Sequence, residues 1–353
     1  MKNGIKILTL RDIDSWDDFV NHHPNSIIYH FSGFHRAIKN TYTIDPLYIT
    51  IIDGQGKIRS GLPVFMIDSR FTSKRMTSLP LAQYCNPLVR NKNDLHIILN
   101  YVMELLRIEK VDYFELKTSS EFDKNQCDFG EQDCSYHSYN LDLKLPLDDI
   151  YKNFHNSCIQ RGIKKAHKNG LQFQAGRSEE DVLIFYDLYQ LMRKNYGLLP
   201  QPRKFFINLW RELAEMNYID ILHSKYQQKI ISSALLLKFN DQVIYEYGAT
   251  LPGMKRLRGS QFLLWESIKQ SKQQNYKKYD FGRTANNNIG LSKYKSRWGA
   301  RRLDLNYLYW PKLKGFASKK ERRIARRAMN MLTKKTPAIF SRNIGRLLYK
   351  HFL

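Results

Sequence analysis

Two successive stretches of this chain each run through helices, a strand pair joined by a tight turn, and then a helix and a further strand, an order that few folds accommodate. In the first stretch, Leu47 to Ile52 and Ile58 to Ile67 are apolar runs flanking Asp53-Gly54-Gln55-Gly56, whose residues supply the positive φ of a hairpin turn. Upstream, Lys6 to Leu10 reads as a strand, Trp16 to His22 as a helix with Asp14 or Ser15 as cap, and Gly33 to Asn40 as a second helix. Downstream lie a strand ending at Ser78-Leu79-Pro80, a helix over Asp94 to Arg107 and a strand over Tyr113 to Lys117. The acidic, cysteine-containing segment Glu121 to Ser135 reads as a surface loop or a weakly patterned helix.

The second stretch opens with a strand over Tyr139 to Leu145. A helix follows from Pro146 to about Asn156, its start matched by Asp148 and Asp149. A basic helix, Gln160 to Asn169, ends at Gly170. Then come strand Leu171 to Ala175, helices Glu179 to Asn195 and Arg203 to Met216, and strands Ile219 to Ser224, Lys229 to Phe239 and Gln242 to Thr250, the last two joined at Asn240-Asp241. An amphipathic helix, Ser260 to Gln273, and strand Lys278 to Phe281 complete it. The expected fold class is α/β (α+β), with two domains over residues 1–138 and 139–311, each a mixed, largely antiparallel sheet flanked by helices. A basic helical tail over residues 312–353 follows.

With 353 residues, 42% of them hydrophobic, the chain can bury two cores. Its net charge of +24 is unevenly placed: −3 over residues 1–150, +15 over 151–311 and +12 over 312–353. The last two regions therefore attract phosphates, anionic headgroups or RNA. Cys85, Cys127, Cys134 and Cys158 have no metal-like spacing, so free thiols and no metal site are expected. The amino terminus shows no signal-type apolar region, and the longest apolar runs, such as Ala234 to Leu237, are far too short to span a bilayer. A cytoplasmic protein, peripheral at the inner face of the membrane, is the expectation. The tail supports it: Lys319-Lys320, Arg322-Arg323, Arg326-Arg327 and Lys334-Lys335 precede Ile339, Phe340, Ile344, Leu347, Leu348 and Phe352 at near-helical spacing, a pattern of interfacial helices on anionic membranes. Charge compensation for the acidic first domain and RNA binding compete with that reading.

The densest chemistry lies in Tyr279-Asp280-Phe281-Gly282-Arg283 and, after a polar loop, Gly290-Leu291-Ser292-Lys293-Tyr294-Lys295-Ser296-Arg297-Trp298-Gly299. One carboxylate, two arginines, two lysines and three glycines surround short apolar segments. Glycines permit close backbone approach, and fixed cations beside aromatic rings suit an anionic group or a developing negative charge. The competing reading is a strand and turn whose Asp280 merely pairs with Arg283.

In order along the chain, Trp16 with the His22, His23 and His30 region, Ser78-Leu79-Pro80 before Asn86-Pro87-Leu88, Arg161 to Gly170, Asn195-Tyr196-Gly197 with Pro200, Tyr245-Glu246-Tyr247-Gly248-Ala249, Asp280 to Arg283 and Gly290 to Gly299 resemble the Fem (FemAB-like) family of aminoacyl- and acyltransferases. The resemblance is to its exosortase-linked, exopolysaccharide-associated branch in particular and covers most of residues 5–310. It implies two GNAT-like domains and transfer of an acyl or aminoacyl group to an amine of a peptidoglycan or exopolysaccharide precursor, lipid- or nucleotide-linked. The implied donor is acyl-CoA or aminoacyl-tRNA. The rival in another class is a non-catalytic RNA- or membrane-binding protein on the same scaffold, with tRNA as a candidate partner and DNA not.

Amine attack on a carbonyl creates an oxyanion that a cation stabilises, while a base takes the amine proton. By motif position the resemblance implies Lys295 as the residue that handles donor charge, with Arg283 beside it, Asp280 as candidate base, and Lys293 and Tyr294 toward the donor. Arg256-Leu257-Arg258-Gly259-Ser260 precedes a helix and partly resembles the GNAT pyrophosphate loop, where amides at a helix amino terminus hold phosphate. Gln261 stands where that loop has a small residue. Arg161, Lys165 and Lys168 share a helix face and, with Tyr196, Tyr245 and Tyr247, are implied for the acceptor. Alternation on one strand would put Tyr245 and Tyr247 on the same face.

Overall fold

The computed structural model describes residues 4–69, 73–123, 131–311 and 349–352. They divide into two compact units, one of residues 4–136 with 304–311 and 349–352, the other of residues 137–303. The basic tail from 312 to 348, Cys127 and the middle of the acidic segment lie outside the described residues.

The first unit begins with β1 (Ile5–Leu8), α1 (Ile13–His22), α2 (Ser32–Tyr42), β2 (Pro46–Ile52), β3 (Ile58–Ile67), β4 (Arg75–Thr77), α3 (Lys92–Ile108) and β5 (Tyr113–Ser119). Helix α1 starts ahead of the expected caps because Thr9 and Asp12 form a capping box before it, the Thr9 N–H donating to Asp12 Oδ2 at 3.0 Å. Strands β1 to β4 are antiparallel neighbours, and β4 pairs in parallel with β5. A parallel pair needs a crossover, which α3 provides. Its buried Leu95, Ile98, Leu99, Val102 and Leu106 recur at three- and four-residue steps and cover Ile49, Ile51, Leu62, Val64, Phe114 and Leu116. Each such side chain contributes about 1.5–3 kcal/mol relative to exposure. Buried His35 is held by the Tyr48 hydroxyl at 3.0 Å and the Tyr29 carbonyl at 2.8 Å. Burial pushes its pKa down to about 3 and that of His30 to about 4, so both are neutral parts of the core.

Next along the chain come β6 (Glu131–Asp142), α4 (Leu147–Lys152), a π-helical turn (Asn156–Gln160), α5 (Arg161–Lys168), β7 (Gln172–Gly176), α6 (Glu179–Asn195), α7 (Arg203–Leu213), β8 (Ile219–Tyr226), β9 (Lys229–Phe239) and β10 (Gln242–Thr250). After these are α8 (Gly259–Gln273), β11 (Lys278–Asp280), β12 (Thr284–Ala285), α9 (Ile289–Ser296) and β13 (Arg301–Trp310). Glu131 to Ser135, expected as loop or weak helix, is strand. In the first unit β13 adds antiparallel to β5. In the second the order is β6-β11-β10-β9-β8-β7, with β10 and β11 parallel across α8 and β6 antiparallel to β11. Each unit thus has a run of antiparallel strands, one parallel pair spanned by a helix, and a final antiparallel strand distant in sequence.

The second unit buries both faces of its sheet. On one, Ile159, Ile163, Leu263, Leu264 and Ile268 pack on Leu222, Ala234, Leu236, Val243 and Tyr279. On the other, α6 and α7 bring Phe185, Tyr189, Phe205 and Phe206 together. Helix α6 is stopped on its amino side by a capping box of Ser178 and Asp181.

Candidate active site

The second unit contains a cavity of about 750 Å³. One wall is the π-helical turn and α5, with Ser157, Cys158, Arg161, Gly162 and Lys165. Met192, Asn195 and Tyr196 come from the end of α6, and Tyr245, Gly248, Ala249 and Thr250 from β10. Arg258, Ser260, Gln261 and Leu264 belong to the start of α8, and Phe281, Leu291, Tyr294, Lys295 and Arg297 surround α9. Short π-helical insertions recur at functional sites, and here the turn leads Arg161 onto the wall.

Helix α9 exists because its surroundings hold it. Asn288 Oδ1 accepts the Leu291 N–H at 3.2 Å to cap it, and fully buried Trp298 packs on Phe154 and Phe281 at 4.9 and 6.0 Å between ring centroids and on Tyr294 at 6.2 Å. Its carboxyl end is tied by the His155 N–H, which donates to the Arg297 carbonyl at 2.8 Å. Lys295 turns inward, its Nζ donating to the Gly282 carbonyl at 2.6 Å. Gly282 aims that carbonyl with φ of +79°, a conformation a Cβ would strain.

Asp280 closes the arrangement from behind. Its Oδ1 accepts from the Ser138 hydroxyl and, at 2.7 Å, from the Gly282 N–H. Burial pushes its pKa up, against the Ser138 and Gly282 hydrogen bonds and the Lys295 charge. It is absent from the cavity wall, so it shapes the Gly282 turn and balances Lys295 rather than meeting a ligand. Burial pushes Lys295 down to about 8, with Asp280 and Glu246 opposing and Arg283 assisting. Burial raises Tyr294 to about 12, against the side chains of Trp298 and Ser260 and the charge of Arg258, and raises Tyr245 too. Both phenols therefore stay protonated donors on the wall.

The shared face expected for Tyr245 and Tyr247 is lost. The register between β10 and β9 shifts between them, a bulge at Glu246 that adds a residue and reverses the alternation. Tyr245 faces the cavity, whereas Tyr247 joins Tyr189 and Phe206 on the opposite side and accepts from Gln201 Nε2 at 2.9 Å. The Tyr245 hydroxyl lies where Gly248 lacks a side chain, 2.0 Å from the position a Cβ would take. Gly248→Ala should therefore destabilise the protein by about 1–3 kcal/mol through overpacking, measured by denaturant unfolding. Gly248→Ala in a Tyr245→Ala background should cost much less, and equal costs in both backgrounds would remove Tyr245 from this position.

Of the residues singled out in sequence, Arg161, Lys165, Tyr196, Tyr245, Arg258, Ser260, Tyr294 and Lys295 line the cavity together. Lys168, Tyr247, Arg256, Gly259, Asp280, Arg283 and Lys293 are not on its wall; Lys168, Arg256, Arg283 and Lys293 are exposed. Lys255, Arg297 and Cys158, also on the wall, were missed; Glu246 is not on the wall, although its charge acts on Lys295. Gln261, the departure from the pyrophosphate loop, donates from Nε2 to the Cys158 carbonyl at 3.2 Å and fills the space beside Gly162. Cys85, Cys134 and Cys158 are free thiols, and among the described residues no His, Cys, Asp and Glu group could hold a metal.

Six cations, Arg161, Lys165, Lys255, Arg258, Lys295 and Arg297, stand on the wall, and among its described lining residues there is no carboxylate. Such a lining suits an anionic group or a developing oxyanion. Residues 155–296 match the acetyltransferase (GNAT) domain family, and they carry nearly the whole wall. The fold and the domain match make the chain an N-acyltransferase, with a GNAT-type domain over that stretch. The UDP-N-acetylmuramoylpentapeptide-lysine N(6)-alanyltransferase of Weissella viridescens is 20% identical over 271 residues, covering 70% of this chain and 78% of that protein. The crystal structure of FemX superposes with a TM-score of 0.68 at 14% identity, over 92% of this chain and 100% of that one. A conserved protein of unknown function from Bacteroides thetaiotaomicron VPI-5482 gives 0.60 at 14% identity, over 86% and 98%.

Proposed function

We propose that the protein transfers an aminoacyl group from aminoacyl-tRNA to a side-chain amine of a peptidoglycan precursor peptide. The observation that carries this reading is the cationic, carboxylate-free wall built around Lys295. The alanyltransferase of Weissella viridescens supports the acceptor class, since its name specifies lysine N6 of a UDP-linked pentapeptide. Gln261, spanning to Cys158 and Gly162, occupies the loop where coenzyme A phosphates would approach and favours the tRNA donor over acyl-CoA.

In this mechanism the acceptor amine attacks the ester carbonyl and Lys295 stabilises the oxyanion. Glu246, half-buried in the bulge between wall residues Tyr245 and Gly248, takes the amine proton. A C–N bond forms, the C–O ester bond breaks, and Tyr294 gives its proton to the departing ribose oxygen. A purely RNA-binding role would leave the buried Lys295 and its Gly282 support without purpose.

The test is incubation of the purified protein with alanyl-tRNA or acetyl-CoA, each with UDP-N-acetylmuramoyl pentapeptide or an exopolysaccharide amino-sugar precursor, read by mass spectrometry. One alanyl addition on the peptide amine, from alanyl-tRNA only, is the expected result. Transfer from acetyl-CoA alone would replace the donor, transfer to the amino sugar alone would replace the acceptor, and no transfer in any arm would overturn the reading.

A further inference from the structure

The cavity mouth carries groups that its interior does not need. At the first turn of α9, Ile289 is 63% exposed and Leu291 36%, and Leu291 is also part of the cavity wall. Tyr196, 49% exposed at the end of α6, is on the wall as well. Arg161, Lys165, Lys255 and Arg297 are exposed cations of that same lining, with Lys255 Nζ 5.5 Å from the centre of the Tyr196 ring. A single exposed aliphatic side chain is ordinary. Two of them within three residues, one of them sharing the lining with these cations, form an apolar tip beside a basic rim.

We propose that this rim docks the cavity mouth on an anionic phospholipid bilayer, with Ile289 and Leu291 entering the headgroup boundary. The charge alone suits RNA equally well, but phosphodiester contacts come from cations and polar groups, and bases stack on aromatic rings. Aliphatic side chains add nothing there. A bilayer takes up both features, since apolar side chains bury at its interface while lysines and arginines meet the anionic headgroups. The Asn288 cap holds the first turn of α9 from within, so the tip is presented on a formed helix. The inference rests on the rim and is independent of the donor and acceptor identities. Its consequence is that a membrane-borne acceptor reaches Lys295 without leaving the surface.

The test uses the full chain with phosphatidylglycerol and phosphatidylcholine vesicles. Ile289→Ser combined with Leu291→Ser leaves every charge in place, and both side chains are exposed, so thermal stability should be unchanged. This variant should bind phosphatidylglycerol vesicles about tenfold more weakly or worse, the scale of losing two interfacial aliphatic side chains. Ile289→Ser alone, at a residue off the cavity wall, should weaken vesicle binding in the same direction and leave tRNA binding unaffected. Hydrogen exchange over residues 286–293 should slow on phosphatidylglycerol vesicles in the native chain and not on phosphatidylcholine. Equal vesicle affinity of the native chain and the double variant, unprotected residues 286–293, or a parallel loss of tRNA binding in Ile289→Ser would each overturn the proposal. Lys295→Met should dock normally, which separates failure of docking from failure of the catalytic reading.

Discussion

Lys295→Met is expected to lower turnover by about 100-fold or more while leaving the fold intact. The loss follows if the ammonium stabilises the oxyanion, since removing one such group from a desolvated site costs about 3–4 kcal/mol in the transition state. Retention of the fold follows from the same geometry. A buried lysine whose pKa falls to about 8 is one whose partners only partly offset its desolvation, so a hydrophobic replacement of similar length relieves that cost, and Asp280, whose pKa burial already raises, takes up a proton once the Lys295 charge is gone. The Ser138 hydroxyl lies 3.1 Å from the Gly282 carbonyl and is the donor that can turn to it from Asp280 when the lysine is removed. Turnover with alanyl-tRNA, together with thermal unfolding, decides the matter. Full activity in Lys295→Met would remove the residue from the chemistry.

The pH dependence of the native protein carries a second signature of the same group. Below pH 8 Lys295 is charged in both folded and unfolded chains. Between about 8 and 10.5 the unfolded chain still holds the proton that the folded one has lost, so this group makes stability rise with pH over that window. Turnover, which needs the charged form, should fall as pH rises through about 8. Opposite trends in the two measurements identify a single buried lysine, and both should vanish in Lys295→Met.

Long elements with local signals were legible in the sequence. Helix α6 and strands β9 and β10 have the bounds that periodicity marks, Ser178 capping the first and Asn240 turning between the other two with φ of +45°. Elements held by distant contacts were not. Helix α9 is two turns long and begins Ile-Gly-Leu after three asparagines; beyond the Asn288 cap, it is the distant contacts of Trp298, His155 and the Gly282 carbonyl that make it a helix in place. Strand β6 starts in an acidic segment that local composition assigns to loop or weak helix. Strand β13 places apolar Leu303, Leu305, Tyr307 and Tyr309 at two-residue steps, with Asn306 and Leu308 buried between them, and could have been read from that sequence period. The bulge at Glu246 leaves no mark in the alternation of Tyr245 and Tyr247, yet it decides which of them faces a ligand. The motif around Asp280 and Lys295 was visible as a cluster, whereas the division between a buried carboxylate behind the wall and a lysine on it depends on three-dimensional burial.

Trp298→Ala should destabilise the protein by about 3–5 kcal/mol, the range for deleting a fully buried large aromatic side chain. The indole is wholly enclosed and joins α9 to Phe154 and Phe281 across the core, so the void cannot collapse without moving the helix. Tyr294, packed on Trp298, and Lys295, beside it on α9, would move with it. Activity should therefore fall together with stability, in contrast to Lys295→Met, where activity falls alone. Trp298→Phe keeps part of the contact with Phe154 and should recover part of both. Denaturant unfolding and turnover on the same samples test this coupling. If Trp298→Ala loses stability but keeps full turnover, then α9 is not what positions Lys295, and the strand end at Asp280 and Gly282 holds the lysine by itself.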